Sequence, residues 1–160
     1  MNSLSLLRRL AEHQQYSELL ENCQILWEST RDSAILPLWA LAYTHLGHTQ
    51  LAEETFATAQ SHQADYSFES FVDMSALMIS MQRFDEAKKL LAQIVEQQPE
   101  HGLALARLAF CQMRHGDLEL AQVGFEQAAE LEPSRISILT NLAQVYLQLA
   151  KVEMAQQVVD

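Results

Sequence analysis

The chain has 160 residues, 49% hydrophobic and 19% charged, enough for one soluble domain with a substantial core. Its 10 Lys and Arg against 21 Asp and Glu give a net charge of −11, which repels a phosphate backbone and excludes nucleic acid as the expected partner. The longest apolar runs, such as "LALARLAF", are broken by charge well short of the roughly 18 residues of a membrane span, so no membrane insertion is expected.

The N-terminal stretch "MNSLSLLRRLAEHQQ" places charges directly after a brief apolar patch and lacks a small-residue cleavage site, which makes it a poor secretory signal. The cytoplasm is the expected location. Cys23 and Cys111 are only two and far apart, which points to buried reduced thiols rather than a disulfide framework.

In chain order, "QQYSELLENCQILW" comes first, then "LWALAYTHLG" followed by Ala52, Phe56 and Ala59, and this second pattern returns. From Ala52 a step of 35 reaches Ala87, and steps of 34 continue to Ala121 and Ala155. At the same step of 34, Leu91 leads to Phe125 and Val159, Pro99 to Pro133, Leu108 to Leu142, and Ala109 to Ala143. A one-residue insertion near Ala64 to Ser67 accounts for the longer first step. A period of this size marks an array of supersecondary units, each unable to bury its apolar face alone.

Within a unit the apolar positions fall at helical spacing, first Leu105, Leu108 and Ala109 with Gln112, then Leu118, Ala121, Phe125 and Ala128. Two helices per unit follow. "RHGD" forms the turn between them, with Gly116 suited to a left-handed helix end, and Pro99 and Pro133 close the second helix.

This pattern resembles the tetratricopeptide repeat, a helix-turn-helix unit of about 34 residues. Leu36, Trp39, Ala40, Tyr43, Gly47, Ala52, Phe56 and Ala59 match one copy; Leu105, Leu108, Ala109, Gly116, Ala121, Phe125, Ala128 and Pro133 match another; Leu139, Leu142, Ala143, Tyr146 and Ala155 match a third. The copy with Phe71, Met74, Ser75, Met78, Phe84, Ala87, Leu91 and Pro99 departs more, Met78 replacing tyrosine and Ser75 the small residue. The N-terminal stretch reads as the second helix of a degenerate unit, with Tyr16 at the turn, Leu19 in place of Ala and Cys23 in place of Phe. The expectation is an all-α, right-handed superhelical solenoid of antiparallel helix pairs, one domain with units near 1–32, 33–67, 68–101, 102–135 and 136–160. The last unit stops at Asp160 inside its second helix, which suggests a fragment of a longer polypeptide or an end covered by self-association.

The resemblance further implies a concave groove lined by the first helices. Transferred by alignment, its contact positions are Pro37, Leu41, Thr44 and His45, then Glu69, Val72, Ala76 and Ile79. The later units give Leu103, Ala106, Arg107, Phe110, Met113 and Arg114, then Thr140, Asn141, Gln144, Leu147 and Gln148. The clamp for C-terminal carboxylates found in one subclass is rejected, because Leu4, Pro37, Val72 and Ala106 stand where its lysine would be and Arg8, Leu41, Ala76 and Phe110 where its asparagine would be. What remains is an apolar strip of Leu41, Val72, Ala76, Ile79, Phe110 and Met113 flanked by Arg107 and Arg114, suited to apolar side chains of a partner segment.

No catalytic, cofactor or metal site is expected. The four glycines lie singly, so there is no phosphate loop; His45 and His48 straddle a turn; His101 and His115 have no ligand partners at the right spacing. Glu53 with Glu54 and Asp85 with Glu86 read as solvated surface rather than acid–base pairs. The functional expectation is a non-enzymatic protein–protein interaction scaffold binding a partner polypeptide in its groove, in a chaperone-like version comparable to small acidic bacterial secretion chaperones. The alternative is the N-terminal recognition region of a larger enzyme such as a transferase. A third reading is self-association through the ends of the array.

Overall fold

The computed structural model describes residues 3–159 and, at Val159, the backbone alone. The equivalence of the Val159 side chain to Phe125, and the break expected at Asp160, lie outside the described residues. Ten helices follow one another along the described residues: α1 (Ser3–Glu12), α2 (Tyr16–Thr30), α3 (Leu36–His45), α4 (Thr49–Ser61), α5 (Phe68–Ser80), α6 (Phe84–Gln97), α7 (Gly102–His115), α8 (Leu118–Leu131), α9 (Ile136–Gln148) and α10 (Val152–Val159). Among the described residues there is no strand, and no helix is long and apolar enough to cross a membrane.

The turns after α1, α3, α5, α7 and α9 each contain one residue in the left-handed region, Gln14, Gly47, Gln82, Gly116 and Ala150 respectively. At Gly116 the closure is a Schellman motif: its N–H donates to Met113 O and the Asp117 N–H donates to Gln112 O. One repeat later Ala150 and Lys151 donate to Leu147 O and Tyr146 O in the same way. The linkers between pairs differ more. Six residues separate α4 from α5 and include a short 3₁₀ turn, Gln63–Asp65, where four separate α6 from α7. The extra length accommodates the step of 35.

The helices gather into two compact units, Met1–Gln82 and Arg83–Asp160. In the first, α3 is central, packing on α2, α4 and α5, and it buries residues on all sides: Leu36, Leu38, Ala40, Leu41, Ala42 and Tyr43. In the second, α7 packs between α6 and α8, α8 also meets α9, and α9 pairs with α10. Phe56 and Phe125 are enclosed at the centre of their second helices by Ala52 and Ala59, and by Ala121 and Ala128. In the first pair Leu19 and Cys23 occupy these positions, and both are fully buried. A bulky residue framed by alanines lets two helices approach closely while filling the space between them.

Polar contacts obey the same register. Lys88 Nζ donates to Asp117 Oδ2 at 3.2 Å, and one repeat later Lys151 Nζ donates to Gln122 Oε1 at 2.7 Å. Gln122 and Lys151 are the one-repeat equivalents of Lys88 and Asp117, so the contact persists while the lysine changes sides. Glu126 adds to the second of these contacts, accepting from Gln122 and from the Tyr146 hydroxyl, each at 2.7 Å. Burial and the hydrogen bond to Glu126 push the Tyr146 hydroxyl up to about 12.

Three outcomes are expected from urea denaturation. Ala150→Gly relieves the positive φ of 58° and raises stability by about 0.5–1 kcal/mol, whereas Gly116→Ala at φ 96° lowers it by a similar amount. Phe125→Ala, which empties a fully buried site, costs about 3–5 kcal/mol.

Candidate partner-binding face

The groove residues expected from the sequence all lie on first helices: α3 and α5 in the first unit, α7 and α9 in the second. Their exposure divides them. Leu41, Val72 and Met113 are buried, as are Pro37 and Ala106, so these side chains serve packing. Ala76, Ile79, Leu103, Phe110, Arg107, Thr44 and Asn141 are half-buried; His45, Glu69, Arg114, Thr140, Gln144, Leu147 and Gln148 are exposed.

In the first unit Thr44 turns its hydroxyl back to Ala40 O at 2.8 Å. His45 lies flat on Tyr16, ring centroids 4.0 Å apart and planes 4° apart, with Nε2 at 3.1 Å from Ser80 Oγ. One imidazole thus ties α2, α3 and α5 together. Partial desolvation lowers its pKa below the ordinary 6.5. In the same unit Arg8 of α1 reaches Asp73 of α5, Nε and Nη2 each 2.9 Å from Oδ2. Asp73 is 7% exposed, whereas the Arg8 side chain stays half-buried at 28%. The sequence placed Arg8 at a groove position but contained no signal for its partner, which is remote in the chain and outside the aligned contact positions.

A second group also escaped the sequence reading. Trp27 meets Trp39 at 5.9 Å, Trp39 stacks on Tyr43 at 6.0 Å, and His48 meets Tyr43 edge-on at 6.0 Å. The Arg31 guanidinium covers Trp27 at 5.5 Å. Aromatic residues at Trp39 and Tyr43 were recognised as repeat positions, but their continuation across α2 was not.

In the second unit Phe110 of α7 packs on Phe84 at 6.2 Å, and Arg114 lies over the Phe84 ring at 5.4 Å. The guanidinium is held in place by the ring while remaining exposed. Helix α7 contains Arg107 and Arg114 and no carboxylate, and α9 contains no charged residue. The described carboxylates of this unit lie on α6, α8, α10 and the connecting turns. In this unit first helices and second helices therefore carry different charge. An open depression over Gln98, Pro99, Glu100 and His101 belongs to the α6–α7 linker, and none of the groove residues lines it.

Comparisons with known proteins agree on the architecture. A tetratricopeptide-repeat family profile matches residues 78–124. Of solved structures, TTC0263 of Thermus thermophilus, described as a thermophilic TPR protein, is similar with a TM-score of 0.78 at 19% identity, over 98% of this chain and 86% of that one. PilF of Pseudomonas aeruginosa gives 0.71 at 15%, over 98% and 71%. MamA of Desulfovibrio magneticus gives 0.68 at 17%, over 98% and 89%. Over residues 78–124 the chain matches the tetratricopeptide repeat, and as a whole it has the fold of solved tetratricopeptide-repeat structures. Comparison with curated proteins finds no significant match.

The tetratricopeptide-repeat fold is usually a non-catalytic interaction module. Among the described residues, no three His, Cys, Asp or Glu gather where a metal ion could be held. Both cysteines are free and buried. Burial raises the Cys23 thiol to about 12 and the Cys111 thiol to about 11, the latter eased downward by Lys88, so both are protonated and unreactive at neutral pH.

Two measurements probe the first unit. Asp73→Asn leaves the Arg8 guanidinium without its charged acceptor and costs about 1–3 kcal/mol in chemical denaturation. An NMR titration of the His45 ring is expected to give a midpoint below 6.5. Because the folded pKa is depressed, the stability from this packing is present above 6.5 and declines as pH falls through the folded value.

Proposed function

We propose that the chain is a non-enzymatic interaction scaffold that binds a partner polypeptide along the first helices of its repeats. The observation that carries this reading is the segregation of charge in the second unit. In a chain of net charge −11, α7 and α9 hold no carboxylate and α7 holds two arginines. An acidic surface with a local face of guanidinium and amide groups repels acidic partners generally and receives them at that face.

The contact residues under this reading are Arg107, Phe110, Arg114, Asn141 and Gln144 in the second unit, with Thr44, His45, Ala76 and Ile79 in the first. Leu41, Val72 and Met113 lie beneath them as support. Phe110 supplies apolar area, Arg114 a guanidinium steadied on Phe84, and the two amides bond the partner's backbone. A chaperone-like version, holding an apolar segment of a client flanked by acidic residues, fits this combination. Two free, buried thiols suit a reducing compartment, and the cytoplasm is the proposed location.

The test is affinity capture from a lysate of the source organism, comparing the wild type with an Arg107→Glu, Arg114→Glu variant and a Phe110→Ser variant, each confirmed as folded by circular dichroism. Leu41 is unsuited to this purpose because its burial makes a polar substitution unfold the site. A partner held by the wild type and lost by both variants supports the reading. Capture that is indifferent to both moves binding off the first helices of the second unit.

A further inference from the structure

The outer side of α8 carries an apolar stripe that its place in the repeat does not demand. Ala121, Phe125 and Ala128 bury one side of this helix. Away from that side Leu120 is 58% exposed, Val123 50% and Leu131 43%. At helical periodicity these three and the exposed Gln127 share one narrow arc, about 16 Å long. One repeat earlier the same four positions on α6 hold Glu86, Lys89, Gln93 and Gln97, all exposed. The fold accepts polar side chains at this register, so packing within the chain does not account for the two leucines and the valine.

Charge decides what fits the stripe. Glu119, Glu126 and Glu130 fall along one edge of it, and α8 has no lysine or arginine. Glu126 is engaged by Gln122 and Tyr146. Glu119 and Glu130 are exposed and, among the described residues, take part in no ion pair, whereas Lys88, Lys151 and Arg135 are held by Asp117, Gln122 and Glu132, and Lys89 lies on α6. A second copy laid on the stripe about a two-fold axis would bring these carboxylates toward their own equivalents, and an anionic membrane would meet them too. A helix with an apolar ridge and Lys or Arg along its flank suits both halves of the surface. Its side chains at i, i+3, i+4 and i+7 cover the stripe while its cations face the glutamates.

We propose that this stripe docks an amphipathic helical segment of a partner protein, its apolar ridge over Leu120, Val123 and Leu131 and its basic residues against Glu119 and Glu130. The contact lies on a second helix and is independent of the reading that places a client on Arg107, Phe110 and Arg114. One helix along about 16 Å of surface makes a small interface. Binding is therefore expected on the order of 10–100 μM and weakens as salt is added.

The test uses a synthetic amphipathic peptide with a leucine ridge and lysines along one flank, titrated against the full chain and followed by fluorescence anisotropy and NMR amide shifts. Shifts should centre on Leu120, Val123 and Leu131. A peptide of the same composition in scrambled order, and one with Glu in place of Lys, should each bind about 10-fold more weakly or worse. In the protein, Leu120→Ser with Val123→Ser removes the ridge, and Glu119→Lys with Glu130→Lys reverses the edge; each double variant should weaken the lysine peptide roughly 10-fold or more. Because all four side chains are exposed, circular dichroism should show both variants folded. Shifts centred on α7, equal binding of the scrambled peptide, or indifference to either variant overturns the proposal. So does self-association of the chain alone, or adsorption to phosphatidylcholine vesicles, that the Leu120→Ser, Val123→Ser variant abolishes, since these outcomes give the stripe to a second copy or to a lipid surface.

Discussion

The structure depends on one steric constraint: a second helix must approach its neighbour closely enough that only small residues fit at the crossing. In the second unit this is visible at Gly124, where an added Cβ would fall 2.9 Å from the Ala109 Cβ. Real Cβ atoms do not come so near, so α7 and α8 lie as close as their backbones allow. Ala121 and Ala128 extend the same narrow seam, and Phe125 fills the wider space between them. Small residues set the distance and the aromatic sets the depth. The position of each first helix follows from that packing.

Turn geometry is subordinate to this requirement. Among the described residues the turns after α1, α3, α5, α7 and α9 each hold a left-handed residue, of which only Gly47 and Gly116 are glycines. Gln14 and Ala150 accept a conformation that an L-residue enters at a cost, because the two helices they join must still meet at the same seam. The inter-repeat contact shows the same priority. Lys88 with Asp117 is an ion pair, Lys151 with Gln122 is a charge-assisted hydrogen bond, and the geometry survives the exchange of donor and acceptor. Both pairs are partly exposed and contribute little to stability by charge alone. Their value lies in satisfying polar groups at a junction whose spacing is decided by apolar packing.

The period of 34 was legible because packing at the seam repeats chemistry as well as spacing, so Ala87, Ala121 and Ala155 mark successive second helices. The same logic read Leu19 and Cys23 correctly as substitutes for Ala and Phe, and both are buried. The left-handed turns at Gln14, Gln82 and Ala150 were not legible, since nothing in those residues announces a positive φ. Arg8 with Asp73 was hidden for a different reason: the pair joins α1 to α5, skipping a repeat, and a search by period compares equivalent positions rather than complementary ones. The groove positions transferred by alignment fall on first helices, but the alignment does not carry the exposure of each side chain. Leu41, Val72 and Met113 satisfy the same helical spacing as Phe110, and only the neighbours decide which of them remains reachable.

In the second unit charge follows the division between first and second helices for a physical reason. Second helices such as α6 and α8 bury one narrow stripe, at Ala87, Leu91 and Ile94 and at Ala121, Phe125 and Ala128, and leave the rest of their surface in water. Carboxylates cost nothing there. First helices are enclosed more completely, α7 burying seven of its residues, and a carboxylate among them would need a dedicated partner. Asp73 on α5 has such a partner in Arg8, whereas α7 and α9 avoid the problem by carrying no acid at all. Once acids are excluded from a first helix, any arginine left on its rim stands out from an otherwise negative molecule. A local cationic face on α7 thus arises from the demands of packing alone, with Arg114 lying over the Phe84 ring on that face.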